Sequence, residues 1–433
     1  MSKYQRARGV YDRLPHPKED ELWKASHLWE FVIGEARKCA KRYGFDEITL
    51  PTFENTELFK RSAGSTSDIV TKEMYTFEDK GGRLITLRPE CTAPTVRSYI
   101  ENSLFQEDRQ KFFYISNCFR HDRMQKGRYR EFYQFGVEAF GSKSPLLDVE
   151  IIDLLLSFLN ILGLKDLQLV INSIGELESR EKYETALRDY LKPLFHNLSE
   201  ESKHRFEKNP LRILDSKDEN DQRLLEGAPK ISQFLDEESK KDFSMVLKGL
   251  DKLGVYYTID EKLVRGLDYY NKTVFEIIPK CNEGIRQNAI GAGGRYDSLV
   301  DALGGPKTPA IGFSVGVERV IQALIANNAP LPSPKPITVL FIPLCEACEL
   351  PLLKIIKETR KLGIASDIYR KNYNIKKGLK YASDIQVPFA AILGEEELER
   401  EEIILKDLSQ RKEQTFHWSR FFEHLHPSTE DTI

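Results

Sequence analysis

The 433-residue sequence has few cysteines, no long uninterrupted apolar run and almost no net charge, and each shortage excludes a class of protein. Six cysteines are too few for a disulfide framework in a chain of this length, which favours a reducing compartment and predicts a cytoplasmic protein. The longest apolar stretch, 149–163, contains Glu150 and Asp153 and is too short for a bilayer, so it predicts a core helix and no membrane partner. The N-terminal segment has no apolar signal core, so secretion and organelle import are not expected. A formal net charge of −3 disfavours a protein that coats nucleic acid over its whole surface.

Several catalytic motifs are also missing. The chain has no G-x-x-x-x-G-K-[ST], no H-E-x-x-H and no arrangement typical of a Ser/His/Asp or Cys/His nucleophile. The glycine-rich GAGGRYD (291–297) does not match G-x-G-x-x-G, so a flexible turn is the favoured interpretation. Cys345 and Cys348 form a C-x-x-C without a second pair, which favours ordinary packing over a metal or redox site. We therefore expect chemistry based on positioning and electrostatics, with no metal tightly bound by the protein.

Changes in composition divide the chain into predicted domains. Short β-rich runs with few helices between them predict a mostly antiparallel sheet carrying helices, an α+β core, over 1–328. A densely charged, helix-like stretch at 178–250 is interpreted as an inserted helical lobe of this core. A proline-rich linker at 329–336 follows, and beyond it strands alternate with helices, as in a small α/β domain over 337–421. Residues 422–433 are expected to form a flexible tail.

The basic run FRHDRMQKGRYR (119–130) lies between two strand-like segments and predicts a hairpin with a long loop. Alternation along the second strand places Gln134 and Glu138 on one face, with Arg120 raised above them at the end of the first strand. Both signs of charge, with an arginine that offers a bidentate fork, suit a zwitterionic ligand next to a phosphate. A polar sheet surface that faces solvent is the alternative.

Two more arginines lie in unusual positions. In LVRGLDYYNKTVFE, Arg265 follows apolar residues in a β-patterned run, and Tyr269 and Tyr270 add two hydroxyls; the alternative is a structural ion pair between Arg265 and Asp268. In IGFSVGVERVIQAL, Arg319 lies in the first turn of a predicted helix, where the helix dipole disfavours a cation unless an anion or an aromatic ring is near. A solvated arginine is the alternative there. Together with the hairpin, these segments predict a polyanion site without a P-loop.

The order of the motifs resembles that of the histidyl-tRNA synthetases, a family of class II aminoacyl-tRNA synthetases, from about residue 5 to residue 420. GFDEITLPTFENTELF, which contains Pro51, resembles class motif 1, which lies at the dimer interface in that family. The basic hairpin resembles motif 2, and IGFSVGVERV resembles motif 3. LVRGLDYYNKTVFE and GAGGRYD resemble the two segments particular to the histidine enzymes. The resemblance implies a class II catalytic sheet, a C-terminal anticodon-binding domain and a homodimer.

The resemblance also implies a function, a histidine–tRNA ligase that uses ATP with Mg²⁺, L-histidine and the tRNA for histidine. Arg120 and Arg319 would bind ATP, and Arg265 and Arg120 would be catalytic, both at the α-phosphate. The residues implied to bind histidine are Glu90, Thr92, Arg120, Gln134, Glu138, Arg265, Tyr269 and Tyr270. Among them, Glu138 and Tyr270 would bond the two imidazole nitrogens, which offer one donor and one acceptor. Glu90, Thr92 and Gln134 would receive the α-amino group.

Contacts to tRNA are implied for five cations of the α/β domain: Arg370, Lys371, Lys376, Lys377 and Lys380. Their alternative is a solvated helix face. In the basic loop, Arg123, Lys126 and Arg128 are expected near the ATP phosphates or the acceptor end of the tRNA. Two residues depart from the family pattern: Cys91 replaces a usual glycine, so that its side chain either crowds the ligand amino group or points away, and Met124 replaces a usual proline.

Two other functions remain possible from the sequence alone. One is the histidine-sensing, non-catalytic regulatory subunit of ATP phosphoribosyltransferase, which shares the core but typically lacks the anticodon module and the arginine set. The other is a general nucleic-acid-binding module that uses the basic loop. The presence of Arg120, Arg265 and Arg319 together with an α/β C-terminal domain favours the ligase.

Overall fold

In a computed structural model of the chain, the described residues are 4–64, 67, 69–122, 127–279, 289–334 and 337–425. Arg123, Met124, Lys126 and residues 426–433 of the expected tail lie outside them. The chain divides into two compact units, Met1–Pro332 and Ser333–Ile433. Within the described ranges, no helix is both long and apolar enough to cross a bilayer. The domain boundaries given above stay predictions.

The first unit contains a large sheet, a small sheet and helices on both faces of the large one. Its described strands are β1 (Asp46–Glu47), β2 (Phe53–Asn55), β3 (Tyr75–Glu78), β4 (Leu84–Leu87), β5 (Lys111–Phe119), β6 (Glu131–Phe140), β7 (Leu167–Ser173), β8 (Tyr257–Ile259), β9 (Asn271–Pro279), β10 (Gly291–Arg295) and β11 (Ala310–Gly316). Its described helices are α1 (Ser26–Arg42), α2 (Thr56–Ala63), α3 (Thr92–Glu101), α4 (Pro145–Ile161), α5 (Leu177–Leu191), α6 (Glu200–Lys208), α7 (Glu219–Leu224), α8 (Glu237–Lys252), α9 (Leu299–Ala302) and α10 (Val317–Ala326). Short 3-10 helices, such as Pro210–Ile213 after α6, join several of them.

The large sheet has the strand order β1-β5-β6-β11-β10-β9-β7-β8. The β1/β5 and β7/β8 pairs at its two edges are parallel, and the pairs between them are antiparallel. The prediction of a mostly antiparallel α+β core is therefore confirmed. The small sheet has the order β2-β4-β3 and is antiparallel.

Two apolar layers cover the two faces of the large sheet. Against one face pack α1, α4, α8 and α10, where alternate residues of β6, among them Phe135 and Val137, are buried. Against the other face pack α5 and the short helices that follow it. The charged stretch at 178–250 therefore contributes to both layers. Val246 and Leu250, four residues apart on α8, pack in the first layer, whereas α5 packs in the second.

The segment GAGGRYD forms β10, in the interior of the sheet between β9 and β11, so its interpretation as a flexible turn is wrong. The glycines permit close approach of neighbouring backbones rather than a turn. A Cβ on Gly293 would lie 2.2 Å from the Gly312 carbonyl oxygen, and one on Gly294 would lie 2.6 Å from the Thr273 carbonyl oxygen. Arg295, which follows, is buried and pairs with buried Asp148 of α4.

The second unit is the predicted α/β domain. Its described strands are β12 (Val339–Pro343), β13 (Ser366–Ile368), β14 (Phe389–Leu393), β15 (Glu402–Asp407) and β16 (Lys412–His417), and its described helices are α11 (Glu349–Lys361), α12 (Ile375–Asp384), α13 (Glu395–Glu399) and α14 (Trp418–Phe421). The sheet order is β13-β12-β14-β15-β16, with β12 parallel to β13 and β14 and the remaining pairs antiparallel.

Two further features of this domain bear on the expectations from the sequence. Residues Phe422–His424 form a 3-10 helix, and Leu425 is buried, so the first residues of the expected tail pack on the domain. Buried Cys348 belongs to the domain core, and Cys345 packs against it, which agrees with the packing interpretation of the C-x-x-C. Among the described residues, no cluster of three His, Cys, Asp or Glu side chains could hold a metal ion.

Candidate active site

The hairpin of β5 and β6 places two polar side chains on a covered face of the sheet. The register pairs Ser116 with Gln134 and Phe112 with Glu138. Gln134 is 9% exposed and Glu138 is 1% exposed, so the interpretation of this face as a solvated surface is wrong. The polar side chains lie under the segment that precedes α3 and on the face opposite the α1 and α4 layer.

Glu138 is surrounded by hydroxyl groups. Its Oε1 accepts hydrogen bonds from Thr92 Oγ1 at 2.8 Å and Tyr114 Oη at 3.2 Å. Its Oε2 accepts one from Tyr296 Oη. Burial raises the pKa of Glu138 to about 8, although these hydroxyl donors act in the opposite direction. The site therefore contains a buried acid that can exchange a hydroxyl donor for a donor on a ligand.

Glu90 closes the same site from the start of α3. Its Oε2 accepts from the Thr92 N–H at 2.6 Å, and its Oε1 accepts from the Ala93 N–H at 3.0 Å. Burial raises the pKa of Glu90, while the two N–H donors and the positive charge of Arg120 oppose that shift. The fold thus brings Glu90, Thr92 and Glu138 together, although Glu90 and Glu138 are 48 positions apart in the chain.

Gln134 and Cys91 both contact the thiol of Cys118. Gln134 donates through Nε2 to Ser314 Oγ at 3.3 Å, and its Oε1 accepts from Cys118 Sγ at 3.3 Å. Cys91 Sγ lies 3.5 Å from Cys118 Sγ, in a small buried cluster that also contains Leu50. The Cys91 side chain is therefore buried against Cys118 and Leu50, which favours the alternative that it points away from a ligand.

Three side chains of the site lie across glycines of the sheet: Tyr114 over Gly136, Glu138 over Gly312 and Tyr270 over Gly294. A Cβ on Gly312 would lie 1.9 Å from Glu138 Oε2, and one on Gly136 would lie 2.3 Å from Tyr114 Oη. Any larger residue would displace the functional side chain. The glycines are required for space at these positions, not for turns.

Small residues continue across the middle of the sheet. The register aligns Gly136 of β6, Ser314 of β11, Ala292 of β10 and Glu276 of β9 on this same face. Adjacent strands are about 4.8 Å apart, so β6 and β9, with two strands between them, are about 14 Å apart. This row forms a low floor with Gln134 and Glu138 on one side and Glu276 on the other.

Arg265 lies at the far side of this floor. Its Nη1 donates to Glu276 on β9, and its side chain is 19% exposed. Asp268, the alternative partner considered from the sequence, instead accepts from Asn209 Nδ2 at 3.1 Å. The Nε of Arg265 is buried without a hydrogen-bond partner among the described residues, which is expected of a group that meets a ligand.

The tyrosines that follow Arg265 are both buried. The ring centroids of Tyr269 and Tyr270 are 4.7 Å apart, and the Tyr270 centroid is 5.6 Å from Arg265 Cζ. Tyr269 also contacts the Tyr296 ring, at 5.7 Å between centroids. The two tyrosines therefore link Arg265 to the hydroxyl cluster around Glu138.

Arg319, in the first turn of α10, is held by backbone oxygens. Its Nε donates to the Gly127 carbonyl at 3.0 Å and its Nη1 to the Ala289 carbonyl at 2.8 Å. Burial lowers the pKa of Arg319, and the positive charges of Arg128 and Arg120 lower it further. Arg128 and Arg120 are therefore close enough to repel Arg319, and a bound anion would relieve that repulsion.

Arg120, directly after β5, is held by a backbone carbonyl oxygen and an aromatic ring. Its Nε donates to the Pro89 carbonyl oxygen at 2.8 Å, which ties it to the residue before Glu90. Its Cζ lies 5.2 Å from the centroid of the Phe132 ring. The charge of Arg120 acts on both neighbours, since it lowers the pKa of Glu90 and the pKa of Arg319.

Four site residues were not found by reasoning from the sequence: Tyr114, Glu276, Tyr296 and Glu318. Glu318, beside Arg319, accepts from the Tyr133 N–H at 2.8 Å and from the Tyr11 hydroxyl, and burial raises its pKa to about 7. Glu276 did carry a signal, because it is the single acidic residue of β9 and its alternate neighbours Val274 and Ile278 are apolar. The two tyrosines lie in motifs where aromatic residues also fit an ordinary core.

The five cations predicted to bind tRNA lie on one segment of the second unit. Arg370 and Lys371 follow β13, and Lys376, Lys377 and Lys380 lie on α12; all five are exposed. Arg370 Nη1 is 3.3 Å from Asp367 Oδ1, and Lys371 Nζ is 4.4 Å from the centroid of the Tyr381 ring. Exposure is expected both for phosphate contacts and for a solvated face.

Comparison with known proteins gives matches along most of the chain. The family model described as histidyl-tRNA synthetase matches residues 19–320, and a model described as anticodon binding domain matches residues 338–426. A histidine–tRNA ligase of Protochlamydia amoebophila is 49% identical over 405 residues, which are 93% of this chain and 95% of that protein. A histidine–tRNA ligase of Limosilactobacillus fermentum is 43% identical over 95% of this chain and 94% of its own length. The crystal structure of an apo histidyl-tRNA synthetase from S. aureus superposes with a TM-score of 0.81 at 33% identity, covering 97% of this chain and 99% of that one.

Proposed function

The chain belongs to the histidyl-tRNA synthetase family and is a histidine–tRNA ligase, and we propose the residues through which it works. The reaction joins L-histidine and ATP into histidyl-adenylate with release of pyrophosphate, and then transfers histidine to the 3′ end of its tRNA. The anticodon-binding match and the presence of Arg120, Arg265 and Arg319 disfavour the histidine-sensing regulatory alternative. Mg²⁺ is proposed to enter with ATP, as part of that substrate.

Recognition of the imidazole ring is assigned to Glu138 and Tyr270. The observation that supports this most strongly is that Glu138 is buried and accepts from three hydroxyl donors, on the same sheet face as Glu276, the partner of Arg265. An imidazole can present an N–H to the carboxylate and a lone pair to the Tyr270 hydroxyl. An apolar side chain of similar size would leave both protein groups without partners, which is the basis of strong discrimination.

The α-amino group of histidine is assigned to Glu90, Thr92 and Gln134. The Glu90 carboxylate is fixed by two backbone N–H donors, and it would supply the negative charge that an ammonium group needs. Gln134 lies four residues before Glu138 on β6, so both side chains face the same side of the sheet. One rigid strand would therefore hold both ends of the amino acid. This arrangement would direct the histidine carboxylate toward Arg120.

The phosphates of ATP are assigned to Arg120, Arg265 and Arg319. A histidine carboxylate oxygen would form a bond to the α-phosphorus in line with the bond that breaks, and pyrophosphate would leave. Arg265 and Arg120 would stabilise the charge that develops on the α-phosphoryl oxygens, and Arg319 would contact the adenine ring and the terminal phosphates. The unpaired Nε of Arg265 and the mutual repulsion around Arg319 support these assignments.

A homodimer is proposed through the small sheet. On one face of that sheet the register brings together Phe53, Tyr75, Phe77, Ile85 and Leu87. Phe53 is 54% exposed and Phe77 is 46% exposed. Phe53 lies in the motif 1 segment, two residues after Pro51. Two large exposed aromatic side chains on one apolar face fit a surface that a second copy of the chain covers.

Binding of tRNA is proposed for Arg370, Lys371, Lys376, Lys377 and Lys380. Replacing the three lysines of α12 by alanine should weaken aminoacylation, because each lost phosphate contact lowers affinity and reduces its dependence on salt. Pyrophosphate exchange without tRNA should be unchanged in the same variant, and a loss of exchange would count against the assignment.

We also propose a cytoplasmic location for the chain.

The experiment that tests the proposed function is ATP–pyrophosphate exchange with each of the twenty amino acids in turn, without tRNA. Exchange supported by histidine alone is expected from the pocket around Glu138. Glu138→Gln should reduce exchange with histidine, because an amide has a single acceptor oxygen and cannot accept from the hydroxyl donors and from the imidazole N–H as the two carboxylate oxygens can. Exchange with several amino acids, or unchanged exchange in Glu138→Gln, would contradict the assignment.

A further inference from the structure

The segment from Arg265 to Tyr270 is held by polar side chains that come from the helices inserted in the core. Arg180 of α5 donates through Nη1 to the carbonyl oxygens of Asp268 at 2.8 Å and of Tyr270 at 3.0 Å. Asn209, which ends α6, donates through Nδ2 to the Asp268 carboxylate at 3.1 Å. The inserted helices therefore contact the backbone and side chain of the segment that carries the proposed catalytic arginine.

Arg180 is a buried contact rather than a surface charge. Its side chain is 14% exposed, and its Nη2 lies 3.9 Å from Glu184 Oε1. Hydrogen bonds from a guanidinium to two carbonyl oxygens are charge-assisted and place two points of the backbone at once. The two carbonyl oxygens belong to Asp268 and Tyr270, on either side of the Tyr269 peptide units. Arg180 therefore constrains the backbone from which the side chains of Tyr269 and Tyr270 extend.

The opposite side of the segment is also confined. A Cβ on Gly64, which ends α2 with a φ of +81°, would lie 2.1 Å from Asp268 Oδ2. Burial raises the pKa of Asp268, while the charges of Arg180 and Arg212 oppose that shift. Arg212 also donates through Nη1 to the Gly266 carbonyl oxygen at 3.3 Å. The segment is therefore clamped between α2 and the inserted helices.

We propose that Arg180 is a positioning residue for adenylate formation, which sets the places of Arg265 and Tyr270 through the backbone of the segment between them. The proposal rests on the roles assigned above to those two residues. It gives the inserted helices α5 and α6 a part in amino-acid activation, since a shift of about 1 Å in a catalytic group can lower a rate about a hundredfold.

The test is steady-state ATP–pyrophosphate exchange by the full-length chain with Arg180→Ala, Arg180→Lys and the matched control Arg188→Ala. Arg188 is on the same helix and also donates to a backbone carbonyl, that of Phe206, within the inserted helices. Arg180→Ala is expected to lower kcat by about 10- to 100-fold and to raise KM for histidine, with KM for ATP within about twofold. Arg188→Ala is expected to keep kcat within about twofold. Arg180→Lys should recover part of kcat, because an ammonium can still donate to one of the two carbonyls.

A double variant separates positioning from general destabilisation. If Arg180 acts on kcat through Arg265, adding Arg180→Ala to Arg265→Ala should lower kcat by less than about twofold further. The proposal would be overturned if the two substitutions lowered kcat independently, so that their fold-losses multiply in the double variant. It would also be overturned if Arg180→Ala kept kcat as Arg188→Ala is expected to. If Arg180→Ala does not fold, as judged by thermal unfolding, Arg180→Lys is put through the same cycle with the same two outcomes. Full exchange in Arg265→Ala alone would instead contradict the proposed function of Arg265.

Discussion

Glu138 of β6 lies directly across from Gly312 of β11, and its Oε2 is 1.9 Å from the point where a Cβ on residue 312 would be. The two residues form a single feature, since the carboxylate occupies the space that any other residue at 312 would need. The glycine is therefore part of the histidine pocket although it has no side chain.

Gly312→Ala should displace the Glu138 carboxylate and weaken histidine binding. Overpacking of this kind typically costs about 1–3 kcal/mol, and the loss should appear as an increase of about 5- to 150-fold in KM for histidine. The control is Gly34→Ala in α1, where a Cβ would have no neighbour within 4 Å. That variant should keep KM and gain about 0.5–1 kcal/mol of stability from helix propensity. Equal KM values in the two variants would contradict the account.

The raised pKa of Glu138 predicts how stability depends on pH in the empty protein. Burial raises the pKa of Glu138 from 4.5 to about 8. Between pH 4.5 and about 8, the folded state therefore holds a proton that the unfolded state has released. The contribution of Glu138 to the free energy of unfolding is fully present below pH 4.5. It is lost as the pH rises to about 8, at up to about 1.4 kcal/mol per pH unit. Glu138→Gln should lack this decline.

Urea unfolding at pH 5, 6, 7 and 8 measures the effect as the difference in free energy of unfolding between wild type and Glu138→Gln. The difference should fall steadily as the pH rises. Glu57→Gln, at a position whose side chain is 71% exposed, is the control and should parallel the wild type. A constant difference between wild type and Glu138→Gln would show that Glu138 does not titrate in this range.

Cys91 and Cys118 are close together but should behave differently. Cys91→Ala should keep KM for histidine within about twofold and lower the free energy of unfolding by about 1 kcal/mol, because a small buried side chain is removed. Cys118→Ala removes the donor to Gln134 Oε1 and should raise KM for histidine more than Cys91→Ala does. Michaelis constants from pyrophosphate exchange and unfolding curves measure both effects, and a larger KM change in Cys91→Ala would place that thiol in the ligand site.

The proposed dimer surface predicts the mass in solution. Wild type should sediment at twice the chain mass of 50.0 kDa, and the double variant Phe53→Lys, Phe77→Lys at 50.0 kDa, because two buried charges without partners disfavour association. Leu84→Lys is the control: this residue is also on the small sheet and is 52% exposed, but it lies on the opposite face. Sedimentation of the wild type as a monomer would contradict the proposal.

Much of the fold follows from patterns within single segments. Alternation in EFYQFGVEAF separates Gln134 and Glu138 from Phe135 and Val137, and the structure has the same division. What the pattern did not predict depends on the register between distant strands. Arg265 pairs with Glu276 of β9, the strand that follows its segment. Asp268 is closer to Arg265 in sequence, but its carboxylate accepts from Asn209 at the end of α6.

The glycine-rich segment shows a second limit of sequence reasoning. GAGGRYD has the composition of a turn, and only the neighbouring strands reveal that its glycines allow close packing in the sheet interior. The hydroxyl of Tyr296 reaches Glu138 only because β10 lies two strands away from β6. Such contacts are set by tertiary structure, so no spacing rule within the motif could predict them.

The central claim is that positioned arginines, with Arg265 foremost, accelerate adenylate formation by stabilising charge at the α-phosphate. The most direct measurement is single-turnover formation of histidyl-adenylate by rapid quench, with saturating histidine and ATP, in wild type and Arg265→Ala. We predict a rate constant lower by about 10²–10³-fold in Arg265→Ala, with ATP binding nearly unchanged, as expected for loss of a group that acts mainly in the transition state. Equal rate constants in the two proteins would contradict the account.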